Sequence, residues 1–367
     1  MKVWIEIDAY LWYNSFMREN PDDSPLQQPK PSTGSFGGYF SGKIRALLSG
    51  KNSKQKIDPN RIQNLKAAIE NNHQMCEQKK ALLITNLNDQ LLISGNEYLI
   101  EQLAGNCNFD YTQTQRWNPR VRSQYQRGFF SSDDATGDTA IVDFANDSFG
   151  GGAVGPRGFA QEEKLLIETN LLSEAGEYSG LNIDPLYMTG LQTHRFVGQG
   201  KQIYGHGQFG SPGLTIDTSP VSRSNVDQFL QKVQPPKKVQ IMAMAAIDMK
   251  RNRWGHYKIQ NYKQMFETAY KSFRAHVDKG GKMVRTGAWG AGVFGNSENV
   301  TCVIQILAAQ AAGVQLVYHG KQEAYDSAIR FLKGPNVMQK SYDAVFHSLC
   351  NYMQTRHSNK QFWTPQV

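Results

Sequence analysis

Apolar residues in this chain follow two rhythms, and the second half alternates between them. Continuous apolar runs occur at TAIVDFA (139–145), VQIMAMAAID (239–248), KMVRTG (282–287) and VQLVYHG (314–320). Runs of this length suit strands covered on both faces. Between them come helical stripes. Tyr262, Met265, Phe266, Ala269, Phe273 and Val277 recur at i, i+3, i+4 spacing up to Gly280-Gly281. ENVTCVIQILAAQAAG ends at Gly313, a glycine stop, and QEEKLLIETNLL (161–172) reads as a shorter helix. Strand–helix–strand units predict an α/β fold, with a largely parallel sheet and helices on both faces.

The first part of the chain reads differently. Residues 20–42 are rich in proline and glycine and predict a loop. Asp58-Pro59 forms an N-cap and first-turn pair, followed at helical spacing by Ile62, Leu65, Ile69 and Met75. ALLITNLNDQLLIS (81–94) reads as two short strands around an Asn-Asp turn. Three segments follow: a mainly helical accessory region at 1–112, a central domain at 113–335, and a C-terminal helix and tail at 336–367.

Composition narrows the classes. With 40% hydrophobic and 20% charged residues, the 367-residue chain is an ordinary globular one. Its +8 formal charge is spread out. Arg120, Arg122 and Arg127 form one basic cluster; Lys250, Arg251, Arg253 and Lys258, interleaved with Trp254 and Tyr257, form another. Neither matches a nucleic-acid motif, so nucleic acid is not an expected partner; the surplus reads either as a solvated basic surface or as a field that attracts anionic ligands. No apolar run reaches the ~20 residues of a membrane span. Cys76, Cys107, Cys302 and Cys350 make no CxxC pair and the 8 histidines no HxxxH spacing, so reduced structural thiols, a cytoplasm-like compartment and no metal are expected. GGYFSGKI (37–44) misses the phosphate-loop pattern, because Ile44 stands where the metal-binding hydroxyl belongs.

The candidate chemistry sits on two glycine loops. VDFANDSFGGGAVGPRGFAQEE (142–163) carries an apolar strand into Gly150-Gly151-Gly152, then, after eight residues, into Gln161-Glu162-Glu163. Three adjacent glycines contribute no packing and suit a backbone that approaches a ligand closely. The paired carboxylates can move a proton. TGAWGAGVFGNS (286–297) joins a strand to a helix through Gly287, Gly290, Gly292 and Gly295, with Ser297 or Asn296 as N-cap. Free amides at such a helix start suit a phosphate or pyrophosphate. Both loops lie at carboxyl ends of strands, where α/β sheets bind ligands.

Together these motifs resemble the poly(ADP-ribose) glycohydrolases. The GGG, eight residues, then QEE pattern is similar to their catalytic signature, VDFAN (142–146) to the preceding strand, and TGAWGAGVFG to their diphosphate loop, TGNWGCGAFGG. The likeness runs over roughly 138–320. It implies a three-layer α/β/α macrodomain with a mixed, largely parallel sheet, acting on ADP-ribose linkages without a cofactor. It also implies roles: Glu163 as acid/base and Glu162 beside the scissile ribose. Asp143 and Asn146 would hold the proximal ribose and the loop, beside Gly150, Gly151, Gly152 and Gln161. Gly290, Ala291, Gly292, Val293, Phe294 and Gly295 would cradle the diphosphate.

The chain also departs from that family. Its tyrosine clasp has the form YTGYAETYRW; here YMTGLQTHRF (187–196) puts Leu191 at the clasping position. Its adenine-stacking phenylalanine follows VVYFTF; here Lys321 stands there, which turns adenine packing over to Tyr318 or His319. These departures favour single ADP-ribose units on protein over polymer, as in a bacterial branch that includes effectors delivered into host cells. Asp133, Asp134 and Asp138 read either as a solvated loop or as an acidic rim suited to an arginine leaving group. The alternatives are polymer cleavage and a non-catalytic reader of ADP-ribose, for which the QEE triplet has no use.

Overall fold

The computed structural model describes residues 53–75, 77–92, 97–114, 122–128, 130, 132–135, 137–150, 152–155, 157–159, 161–197, 205–208, 230–250, 258–292, 294–335 and 337–361. The chain divides into two units, Met1–Gly42 and Lys43–Val367, and every described residue belongs to the second. The 20–42 loop, the GGYFSGKI segment and most of the second basic cluster lie outside the described residues, as do Gly151, Val293 and the side chains of Asp133 and Glu163.

Ten strands alternate with seven helices among the described residues: β1 (Ser53–Lys56), α1 (Pro59–Glu70), α2 (Glu77–Leu92), β2 (Glu97–Gln102), β3 (Ser123–Tyr125), β4 (Thr139–Asp143), β5 (Arg157–Phe159), α3 (Gln161–Glu168), β6 (Leu186–Val197), β7 (Gly205–Gln208), β8 (Leu230–Ala243), α4 (Ile259–Asp278), β9 (Met283–Gly287), α5 (Glu298–Ala312), β10 (Gln315–His319), α6 (Gln322–Leu332) and α7 (Tyr342–Gln361). Eight strands form one sheet in the order β1-β2-β6-β8-β4-β9-β10-β3, and β5 pairs β7 apart from it. The five strands from β8 to β3 run parallel; β1, β2 and β6 are antiparallel.

Two cores cover the two faces. Ile62 and Ile69 of α1, Leu83 and Leu87 of α2, and Leu165 and Leu166 of α3 pack with Ile141 on one. Phe266 and Phe273 of α4, Ile304 and Leu307 of α5, and Phe346 of α7 pack with Ala140 and Val142 on the other. Alternation along β4 feeds both cores, which is why its sequence reads as a continuous apolar run. The result is the three-layer α/β/α arrangement with a mixed, mostly parallel sheet.

Two local readings change. Residues 81–94 were expected as two strands; residues 77–92 instead form α2. The helix is buried on most sides, which erases amphipathic periodicity; the expected turn pair Asn88-Asp89 lies inside it, and Asn86 is a buried tether. Its amide nitrogen donates to the Ile167 and Thr169 carbonyls. The strand expected over 239–248 ends at Ala243. Met244, Ala245 and Ala246 stay buried as loop beneath the second glycine loop, so their apolar character reflects packing there. The sheet also runs across the division at 112/113, because β1 and β2 form its antiparallel edge.

Candidate active site

Parallel pairing brings the loops to one edge. Asp143 lies opposite Ala243, and His319 opposite Gly287. The loops after β4, β8, β9 and β10 therefore leave the sheet side by side. Leu181 donates its amide to the Asp147 carbonyl at 3.2 Å, and Ala245 donates to Leu181 at 3.1 Å. Trp289, fully buried, donates its indole N–H to the Met244 carbonyl at 3.0 Å. Met249 donates to the Phe294 carbonyl at 2.8 Å.

The first glycine loop is held by the start of α3. Gln161 accepts the Phe144 N–H at 2.8 Å and donates to the Val142 carbonyl at 2.9 Å, extending the end of β4. Glu162, buried, accepts the N–H of Asn146 at 3.1 Å and of Gly150 at 2.6 Å. Charge-assisted bonds of this kind are the strong ones. Glu163 occupies the next position of the helix. Gly150 has φ +80°, and a Cβ there would lie 2.6 Å from the Ala175 Cβ. A close contact within the chain thus requires this glycine, a reason the sequence reading, which looked to a ligand, did not supply. Turns close the loop through Ala153 N–H to Gly150 at 2.7 Å and Gly155 N–H to Gly152 at 2.9 Å. Asn146 is exposed at its rim, and Asp143 is buried at the end of β4.

The second loop is a tight cradle. Gly290 has φ +68°, and a Cβ there would collide with that of Ala246. Asn296, buried, donates its side-chain amide to the carbonyls of Ile247 at 2.8 Å and Gly290 at 3.1 Å. The amides of Trp289, Ala291, Gly295 and Asn296 are used inside the loop. Those of Gly290, Gly292 and Phe294 meet no acceptor among the described residues. Ser297 is the N-cap of α5 and makes no side-chain cap bond. Glu298, in the first turn, turns its carboxylate away to accept the Lys321 N–H at 2.7 Å and the Tyr318 hydroxyl at 3.1 Å. The loop therefore offers backbone donors at a positive helix end, an arrangement that favours an anionic group.

The two residues expected near adenine, Tyr318 and His319, lie on opposite faces of β10. Tyr318 is fully buried and its ring stacks on Tyr325 at 6.0 Å, on the α5–α6 side of the sheet. Strand alternation puts its neighbour His319 on the other face. There His319 contacts the Gly128 carbonyl through Nδ1 at 3.0 Å and the Arg285 guanidinium through Nε2 at 3.1 Å. Phe130 packs edge-on against His319 at 5.2 Å. The acidic rim is not continuous. Asp138 precedes β4, at the opposite end of that strand from Asp143, and pairs with Lys282 at 3.2 Å.

Other residues that shape the site carry no motif. Lys79 of α2, fully buried, donates to the Gly152 carbonyl at 3.0 Å and the Gly155 carbonyl at 2.8 Å. Arg61 of α1 pairs with Glu174 at 3.1 Å, next to the Ala175 that abuts Gly150. Tyr98 donates its hydroxyl to the same Glu174, and burial with that carboxylate pushes the Tyr98 pKa far up. Local spacing gives no sign of such contacts, because they join distant segments.

The family described as Poly (ADP-ribose) glycohydrolase (PARG), Macro domain fold, matches residues 127–326, more than half the chain. No curated protein matches. Among solved structures, the chain is similar to poly(ADP-ribose) glycohydrolase from Deinococcus radiodurans in complex with ADP-ribose, at 14% identity over 77% of this chain and 94% of that one, TM-score 0.40. It is also similar to the Thermomonospora curvata enzyme bound to the inhibitor ADP-HPD, at 16% identity over 63% and 79%, TM-score 0.37. Scores this low support no residue-level correspondence.

Proposed function

The chain belongs to the poly(ADP-ribose) glycohydrolase catalytic family of macro domains, and from that premise we propose that it releases single ADP-ribose units from modified protein side chains. The observation that carries the reading is Glu162, bonded to the Asn146 and Gly150 amides. It makes the glycine loop and the first turn of α3 one rigid unit, with Glu163 at the adjoining position. Hydrolysis at the ribose C1″ passes through an oxocarbenium-like state and needs an acid for the leaving group and a base for water. One carboxyl can do both in turn. We assign that work to Glu163, the holding of the loop to Glu162, and the diphosphate to the amides of Gly290, Gly292 and Phe294 with the N-terminus of α5. Water adds across the bond: its hydroxyl goes to C1″ and its proton, through Glu163, replaces the one given to the leaving group.

Preference for single units over polymer is supported by Leu191. It stands where the polymer-cleaving enzymes have their clasping tyrosine, and it is fully buried in β6. Arginine is the first linkage to test, although the position of Asp138 removes part of the acidic rim that favoured it.

The test is release of free ADP-ribose from three substrates: polymer, ADP-ribosyl-arginine protein and ADP-ribosyl-glutamate protein. Release from a mono-modified protein is expected. Glu163→Gln should keep ADP-ribose binding and lose about 10²–10⁴-fold in turnover. Release from polymer alone, or wild-type turnover by Glu163→Gln, overturns the proposal. Tight binding without release from any substrate would favour a reader.

A further inference from the structure

Lys79 is fully buried, and it belongs to neither glycine loop. Burying an ammonium group is costly unless acceptors replace its water. Here two do: the carbonyls of Gly152 and Gly155, 3.0 and 2.8 Å away. Both belong to the catalytic loop, and Gly152 is also the acceptor that closes the turn to Gly155. A methyl-terminated side chain would fill much of the same space but leave these carbonyls without the cation. The lysine is therefore placed to fix the conformation of the loop.

A second contact from the same layer acts on the other end of the loop. Arg61 of α1 pairs with Glu174 at 3.1 Å and Glu177 at 3.2 Å. Between those two acids lie Ala175, which abuts Gly150, and Gly176, whose amide donates to the Phe149 carbonyl at 2.8 Å. The loop is thus gripped near Gly150 through Glu174 and beyond Gly152 through Lys79. Both grips come from residues 59–92, outside the family match at 127–326.

We infer that Lys79 is a positioning residue for turnover, through which the α1–α2 layer sets the geometry of the catalytic loop. The activity side of this inference rests on the hydrolase reading above. Misplacement of about 1 Å at a reacting centre can cost up to about 100-fold in rate.

The experiment compares wild type with Lys79→Met and Lys79→Arg. It reads kcat and KM with the mono-modified substrate, and hydrogen exchange at the Ala153 and Gly155 amides against that at α5. For Lys79→Met, kcat should fall about 10- to 100-fold with KM changed less than about threefold. Exchange at Ala153 and Gly155 should quicken while α5 is unaffected. Lys79→Arg, which keeps a cation with several donors, should recover protection and part of kcat. Wild-type kcat and protection in Lys79→Met overturn the inference, and so does protection lost equally from the loop and α5. Should Lys79→Met fail to fold, Lys79→Gln decides by the same readings. Should wild type turn over no substrate, the hydrolase reading fails, while the exchange comparison still decides the role of Lys79.

Discussion

Gly150 donates its amide hydrogen to Glu162 at 2.6 Å, joining the glycine loop to the first turn of the helix that follows it. The carboxylate also takes the Asn146 amide at 3.1 Å, so one side chain spans both limbs of the loop. Glu162 is thus engaged by backbone donors, which is the ground for proposing its neighbour Glu163 as the acid/base.

Glu162→Gln tests that engagement. A carboxamide keeps one acceptor but turns an N–H towards the other amide, leaving a buried donor unpaired. The expected loss is about 2 kcal/mol of stability, together with a drop in kcat, read by urea unfolding and steady-state kinetics. Wild-type stability would show that the two hydrogen bonds are not made in solution.

Gly150→Ala and Gly292→Ala should behave differently. Gly150 has φ +80° and the Ala175 Cβ in its way, so alanine there should cost about 1–3 kcal/mol. Gly292 is exposed, and a Cβ there meets nothing within 4 Å. Its alanine variant should unfold like wild type while binding ADP-ribose more weakly. Thermal melts and calorimetric titration separate the two outcomes.

His319 should make stability depend on pH. Burial, chiefly, and Arg285 lower its pKa from the ordinary 6.5, against the opposing effects of the Gly128 carbonyl and Asp134. The geometry agrees, since Nδ1 donates to Gly128 and the Nε2 lone pair faces Arg285. The unfolded chain then binds the proton more readily than the folded one. Stability is fully present above pH 6.5 and falls as the pH drops towards the folded-state pKa. Wild type should lose more unfolding free energy between pH 7.5 and 5.5 than His319→Asn does. Equal losses would remove His319 as the source.

Leu191→Tyr introduces, at a position with no exposure, the residue type that the motif likeness assigns to the polymer clasp. Overpacking should cost about 1–3 kcal/mol without conferring cleavage of polymer. A gain of polymer turnover, followed by gel or chromatography, would show that this position reaches substrate.

Much of the architecture was legible because it is local. The strand runs, the stripe of α4, the Asp58 cap of α1 and the Gly313 stop of α5 each follow from residues within a few positions of one another. Helix α2 was misread because it is buried on most sides, and burial removes the periodicity that distinguishes helix from strand. The strand of Tyr318 and His319 was legible, but which face each residue takes was not. A single-residue shift in a strand reverses which layer a side chain enters.

By itself, the sequence determined the chemistry on offer: two strand-to-helix glycine loops, a glutamate pair and the helix start that suits a diphosphate. These are properties of contiguous residues, fixed by backbone sterics and capping. Only the tertiary structure decided how those parts are held. Lys79 reaches Gly152 across 73 positions of chain and Arg61 reaches Glu174 across 113, and contacts at such separations leave no pattern in spacing. They exist because the sheet brings its antiparallel edge and its parallel half under one helical layer, where a buried cation must find its acceptors.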